Sequence, residues 1–265
     1  MKTLDNTINY YELLMYYSDT SVYKEYLLPD GFHYAFYKNG DEEDWVNIHI
    51  ESGEFTSIER GLEHFHDFYD SFINELDRRC VFIVDDATLE KVGTATISLL
   101  EKEEFGYKAA VDWVAIKKKY QGMGLARPLI SKFIQIANEL NHKSLILHTQ
   151  TTTWLACKLY LEFGFEILNK EEVNGWGILR TLTDHDKLIE FSYVSEEDVY
   201  DKRNIEIEKQ LSRLYGTDNF NYSVWYKNGE HKVYVYSNKT PYEFEYFIVK
   251  DKLILKEVVD KTYKR

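Results

Sequence analysis

Trp113-Val114-Ala115-Ile116-Lys117-Lys118-Lys119-Tyr120-Gln121-Gly122-Met123-Gly124-Leu125-Ala126 runs from an apolar strand through a basic turn and a glycine-spaced loop into a helix. A glycine-rich turn that opens a helix aims several backbone N–H groups at one spot, where the helix dipole adds positive potential. Proteins hold a pyrophosphate in this way without a metal. The helix is legible on its own: Leu125, Leu129, Phe133, Ile136, Ala137 and Leu140 recur at three- and four-residue spacing and make one apolar stripe. Pro128 fits its first turn, where a missing N–H breaks no intrahelical bond. The pattern is not that of a Walker loop, because no Lys-Ser/Thr follows, and the glycine spacing is wrong for a dinucleotide fold.

The loop Gln121-x-x-Gly124-x-Ala126 resembles the acetyl-CoA motif of the GCN5-related N-acetyltransferases (GNAT family). A second segment agrees with it in order and separation. Lys143–Gln150 reads as a strand, Thr151–Thr153 offer hydroxyls to cap a helix, and Ala156, Leu159, Tyr160, Gly164 and Phe165 follow. They resemble the family's Ala-x-x-Leu-Tyr-x-x-x-Gly-Phe. Gly164 also suits a left-handed residue just past a helix end. The resemblance covers about residues 30–185. Thr153 departs from it, standing where the family often has an Asn that contacts the cofactor.

The resemblance implies an α/β fold, a mixed central sheet flanked by helices, in the order β-α-α-β-β-β-α-β-α-β. On that order Phe32–Tyr37 is the first strand, and helices follow at about 41–50 and Ser57–Leu76. Strands come next at Cys80–Val84, Gly93–Leu100 and Ala109–Ile116, and Trp176–Leu182 closes the sheet. Residues 1–30 read as a tyrosine-rich helical lead-in. Residues 1–188 are expected to form this domain and 189–265 a small accessory α+β domain, with a protease-sensitive junction near Thr183–Leu188. In the second unit Glu196–Tyr215 reads as one amphipathic helix, Asn228-Gly229 as a hairpin turn, and Tyr242–Tyr246 and Lys252–Val258 as strands of an antiparallel meander.

The 265 residues are 44% hydrophobic, enough for packed cores, and no run approaches a membrane span. Two cysteines give no disulfide framework, so the expected compartment is the cytoplasm. Net charge is −13, and residues 191–265 hold thirteen acids and thirteen bases, so the whole excess lies in 1–190. An acidic chain is a poor nucleic-acid binder. Ten Asp/Glu against Arg60 alone fall within 41–70, where the resembled fold builds its acceptor wall. A cleft of one sign concentrates the opposite charge, which points to a cationic small-molecule or peptide amine; a solvated helix surface is the plain alternative.

The activity implied is N-acetyl transfer from acetyl-CoA to an amine by direct attack. The alternative is a non-catalytic sensor of the same fold that binds CoA or another ligand. The resemblance places the oxyanion donor at the Val114 N–H and a pantetheine contact at Ile116. The cofactor would lie on Gln121, Gly122, Met123, Gly124, Leu125, Ala126 and Arg127, with Thr153 in the Asn position, and Tyr160 would be the thiolate's acid. Asp112 shares a face with Val114 and Ile116 by period-two alternation and is a candidate base, with His148 a second. Lys117–Lys119 form either a solvated turn or a cofactor-attracting patch. Trp45, Glu51, Glu54 and Phe55 are candidates for the acceptor site. His64 and His66, two apart on a helix, point apart, and no metal is expected. The sequence does not give the oligomeric state.

Overall fold

A computed structural model describes residues 4–104, 107–217, 220–227, 230–237, 242–249 and 252–260. A seven-stranded sheet carries the larger unit. Its strands are β1 (Glu12–Tyr17), β2 (Phe32–Phe36), β3 (Cys80–Asp85), β4 (Lys91–Glu104), β5 (Tyr107–Ile116), β6 (Leu145–Gln150) and β7 (Glu166–Ile167), in the order β2-β3-β4-β5-β6-β1-β7. Only β5 and β6 pair in parallel; the other neighbours are antiparallel.

Both faces of this sheet are buried, which is why β3 reads as a continuous apolar run instead of an alternating one. Val81 and Ile83 point to one core, Cys80, Phe82 and Val84 to the other. The first core is closed by α4 (Ala126–Glu139), through Leu129, Phe133 and Ile136, and by α5 (Trp154–Phe163), through Tyr160 and Leu161. The second is closed by α1 (Glu42–Ser52), through Trp45 and Ile48, and by α2 (Ile58–Tyr69), through Phe65 and Tyr69. The expected long second helix breaks after Tyr69: a 3-10 turn spans Asp70–Glu75, Phe72 leaves helical geometry, and the four-residue α3 (Leu76–Arg79) follows.

Two expectations about the sheet's ends are corrected. The lead-in is not helical: Leu13 and Met15 are fully buried and Tyr17 nearly so, and their strand fills the sheet between β6 and β7. Trp176–Leu182 is not a strand but part of α6 (Val173–Thr183). A short apolar run fits a buried strand or a buried helix equally well. Here Glu172 caps the helix through the Gly175 N–H, and Trp176 and Leu179 reach the first core three residues apart.

Beyond α6 the chain stays packed on the first unit. Leu188 is fully buried, the Phe191 ring lies 6.1 Å from that of Trp176, and Val199 packs with Ile8 and Ile178. The anticipated junction at Thr183–Leu188 is therefore not an open linker. The single expected helix is two: α7 (Glu196–Val199), with a Ser195–Asp198 capping box, and α8 (Lys202–Tyr215), whose start Asp201 caps through the N–H groups of Arg203 and Asn204. Against α8 lies a four-stranded antiparallel sheet of β8 (Phe220–Lys227), β9 (Glu230–Ser237), β10 (Tyr242–Val249) and β11 (Lys252–Asp260). Its core joins Ile207 and Leu211 to Phe220, Tyr222, Val233 and Val235. The expected turn at Asn228-Gly229 lies outside the described residues; Lys227 pairs with Glu230 across it. This small sheet touches the first unit at the end of α1: Asn221 Nδ2 donates to the Ile50 carbonyl at 2.6 Å, and the Arg60 guanidinium lies 4.2 Å from the Tyr234 ring centre.

No helix among the described residues is long and apolar enough to cross a membrane. The two helices over the second core meet at Gly61, where an added Cβ would stand 2.4 Å from Val46 Cγ1 and 3.2 Å from Phe55 Cδ2. Val46 is fully buried and β-branched, so it yields poorly. Gly61→Ala is expected to cost about 1–3 kcal/mol in urea unfolding. An unchanged midpoint would mean that α1 and α2 are not in this contact.

Candidate active site

Strand β5 carries an irregularity that shapes everything around it. Thr94 pairs with Ala115 but Thr96 with Asp112, so β5 holds one residue more than β4 between the two pairs. The extra residue is a β-bulge, and Trp113 within it has φ +52°, rare for a bulky residue. The bulge reverses the alternation. Before it Ala109 and Val111 face the first core; after it Val114 and Ile116 do, while Trp113 and Ala115 face the second. Asp112, paired with Thr96 and accepting a hydrogen bond from Ser98, lies on the second-core side beside Trp113. The expectation that Asp112 shares a face with Val114 and Ile116 is thus corrected, because regular alternation does not survive an inserted residue.

The same strand parts from its other neighbour. Only Ala110–Ile146 and Val111–Leu147 pair between β5 and β6, although β5 runs on to Ile116 and β6 to Gln150. The Lys117 N–H bonds the Val92 carbonyl at 2.8 Å. By the alternation of ladder bonds, the N–H groups of Val114 and Ile116 point away from β4 and into this opening.

Two cavities border the opening. One, of about 610 Å³, runs along Ile116, Gln121, Gly124 and the first turn of α4 to Thr153, Leu159 and Tyr160. The other, of about 420 Å³, is bounded by His49, Phe68, Asp112, Trp113 and His148. They share five residues: Glu54, Val114, Thr153, Ala156 and Tyr160. A group reaching through the first cavity meets one entering the second at this junction.

The first cavity suits a long anionic ligand. Gly122 and Gly124 have φ +80° and +82°, and a Cβ on Gly122 would meet nothing within 4 Å, so the loop leaves open space over its backbone. The first turn of α4 has no side-chain cap, so its N–H groups are left for a ligand. Leu125 is buried and can offer only its backbone, whereas Met123 is half exposed. Gln121 acts as a strap: its Nε2 donates to the Ile116 carbonyl at 2.8 Å and ties the loop to the end of β5. Arg127 lies at the rim, held by Glu162 at 2.7 Å. Lys117 is not part of a solvated patch; it is buried and paired with Glu90 at 2.5 Å and Glu51 at 3.1 Å. Thr153 Oγ1 donates to the Gln150 carbonyl at 2.9 Å, a local cap at the mouth of α5.

At the junction the two titratable groups are set apart by their surroundings. Burial pushes the Glu54 carboxyl up from its ordinary 4.5 to about 7. Burial, with smaller contributions from Cys157 and Glu54, raises the Tyr160 phenol well above its ordinary 10, so it keeps its proton. Glu54 is delivered there by the end of α1. Gly53 turns left-handed, and the N–H groups of Gly53 and Glu54 both bond the His49 carbonyl, at 3.1 and 2.8 Å.

The acidic segment does not act as one field. Asp41 and Asp44 pair with Lys91, Glu51 with Lys117 and Asp70 with His66, while Glu42 accepts from Tyr37. Of its ten carboxylates only Glu54 lines either cavity. Trp45 is fully buried and lines neither cavity, and Glu51 faces Lys117, so neither stands in the acceptor chamber. Phe55 backs the chamber, its ring 5.1 Å from that of Trp113. His148 lines it, exposed, 3.2 Å from Glu12. His64 stacks on Phe55 and does not act with His66. The aromatic wall of Trp113, Phe68 and His49 could not be anticipated from the sequence. The apolar spacing of α1 and α2 marks a core face, and the bulge that turns Trp113 toward it leaves no trace in residue type.

A comparison with curated proteins finds no match. Among solved structures, the chain is similar to a GCN5-related N-acetyltransferase from Sphaerobacter thermophilus, with 16% identity over 62% of this chain and 50% of that one and a TM-score of 0.49. A GCN5-related N-acetyltransferase from Kribbella flavida matches at 16% identity over 58% and 53%, with a TM-score of 0.40. A "predicted acetyltransferase with acetyl-CoA" from Clostridium acetobutylicum matches at 15% identity over 52% and 92%, with a TM-score of 0.40. The chain spans about half the length of the first of these structures. The model of the acetyltransferase (GNAT) family matches residues 43–165, the stretch that holds the bulge, the glycine loop and the junction of the two cavities. Residues 43–165, which hold strands β3 to β6 of the sheet, thus match an acetyltransferase domain of the GNAT family.

Proposed function

We propose that the protein transfers an acetyl group from acetyl-CoA to an amine, with the two substrates entering by the two cavities and meeting at Glu54, Val114 and Tyr160. The observation that supports this reading is the junction itself, where the two cavities share those residues. Acetyl-CoA, when bound, supplies the thioester carbonyl that the amine nitrogen attacks, forming the C–N bond and breaking C–S.

The chain's own residues then have distinct roles. The open loop Gly122–Gly124 and the uncapped start of α4 hold the pyrophosphate by backbone N–H groups. The Val114 N–H, turned into the opening between β5 and β6, donates to the oxygen on which charge develops. A free amine near its ordinary pKa is protonated at neutral pH and must lose a proton to attack. Glu54, poised near 7, takes the attacking nitrogen's proton and returns it to solvent. Tyr160 holds its proton at working pH, donates it toward the departing sulfur, and is reprotonated by the second proton that the nitrogen sheds as the amide forms. We assign the base to Glu54 over Asp112 because Glu54 lines both cavities, whereas Asp112 lines only the second and is engaged by Ser98. The small sheet of β8–β11 is assigned a bracing role, since Asn221 holds the end of α1 from which Glu54 projects.

With Glu54 as base, kcat/KM should rise through about pH 7 and level off above it. Glu54→Gln should lower kcat by at least about 100-fold and abolish that limb. Tyr160→Phe should lower kcat by at least about tenfold with the fold intact. An unaltered profile in the Glu54 variant, measured by CoA thiol release, would move the base elsewhere.

The same shift has a consequence for stability. Between about pH 4.5 and 7 the folded state holds the Glu54 proton that the unfolded chain releases, so this group's contribution to stability falls as pH rises across that window. Glu54→Gln removes the titration. Urea unfolding should find the variant gaining on the wild type from pH 5 to pH 7.5; a constant difference would show that Glu54 titrates normally.

A further inference from the structure

The second cavity is walled by the rings of His49, Phe68 and Trp113. The Trp113 indole, turned inward by the bulge, is met edge-on by Phe68 at 5.5 Å and at 69–89° by Trp45, His49 and Phe68. Phe68 is 45% exposed, one of the few large apolar side chains of the second-core helices left open, and it lines the chamber. His49 lines it too, is almost fully buried, and neither ring nitrogen has a hydrogen-bond partner. Burial drives its imidazole down to about 3, so it stays neutral and brings no positive charge. The carboxyl groups that line it are those of Glu54 and Asp112.

We propose that the acceptor is a primary amine borne on a short arm from an aromatic ring, the ring seated against Trp113 and Phe68 and the nitrogen at Glu54. A chamber of about 420 Å³ has the size for one ring system and its arm. Aromatic pairs at edge-to-face or offset geometry gain more than their buried area alone supplies. The neutral nitrogens of His49 offer a partner to a polar atom on that ring. A polyamine has no ring to seat against Trp113 and Phe68, and its further charges would find few carboxylates, since the rest of the 41–70 segment's are paired or lie outside the chamber. Trp113 and Phe68 are then the residues that set specificity. The chemistry at the nitrogen rests on the acetyl-transfer reading; recognition of the ring does not.

The test uses the full chain and calorimetry with 2-phenylethylamine, hexylamine and spermidine, in the presence of CoA. CoA release from acetyl-CoA is followed in parallel for each amine. The expected result is that 2-phenylethylamine binds roughly three- to tenfold more tightly than hexylamine. Phe68→Leu keeps an apolar group at this exposed position and should erase that preference while changing hexylamine binding little. Equal affinity for the two amines, tighter binding of spermidine, or a Phe68→Leu variant that weakens both amines alike would each overturn the inference. Selective binding of 2-phenylethylamine with no CoA release would uphold it and overturn the acetyl-transfer reading instead.

Discussion

One inserted residue in β5 sets the geometry of the site. At Trp113 the strand gains a residue on β4, and two consecutive side chains, Asp112 and Trp113, turn to the same face. The left-handed backbone there costs on the order of 1–3 kcal/mol, and packing opposes its relaxation: the indole touches Phe55, His49 and Phe68. Relaxing the bulge would slip every later residue of β5 to the other face. Val114 and Ile116 would then leave the loop side and the glycine loop would be strapped to the wrong edge. The divergence of β5 from β6 after Val111 completes the arrangement, because it frees the N–H groups of Val114 and Ile116 that a paired strand would consume.

The rest of the fold holds that opening. Strap and loop are one piece, since the Gln121 side chain bonds the last carbonyl of β5 while the backbone beyond it bends into α4. On the opposite side α1 ends at Gly53 and swings Glu54 in, and Asn221 of the small sheet holds the Ile50 carbonyl one turn earlier. The N-terminal strand closes the far half of the sheet, pairing along its length with β6, so the strand that ends in the cleft is supported on the side away from it. Residues distant in sequence therefore fix one small volume.

The elements that repeat a period were legible in the sequence. The α4 stripe, the strand–loop–helix order around Gly124 and the capped end of α5 at Gly164 are local and follow from residue type. Short apolar runs were not. Trp176–Leu182 and Glu12–Tyr17 each hold too few residues for periodicity to separate helix from strand, and burial against the finished sheet decided both. Paired carboxylates look like free ones in a sequence, so the acid-rich 41–70 segment suggested a field where the structure leaves Glu54 as its one carboxylate lining the cavities. The break at Asp201 had a local sign, an Asp before Lys-Arg-Asn, that helix amphipathicity outweighed. The bulge had none, and with it went the face of Asp112.

The central claim is that the opening between β5 and β6, approached over the glycine loop, receives acetyl-CoA. Titration calorimetry with wild type and Gly124→Val tests it most directly. Gly124 has φ +82°, where a β-branched side chain is strained and stands in the way of a phosphate approaching the backbone. The account predicts that the wild type binds one acetyl-CoA per chain and that the variant, still folded by its melting curve, loses at least about tenfold in affinity. Absence of binding by the wild type, or equal affinity of the two proteins, would contradict it.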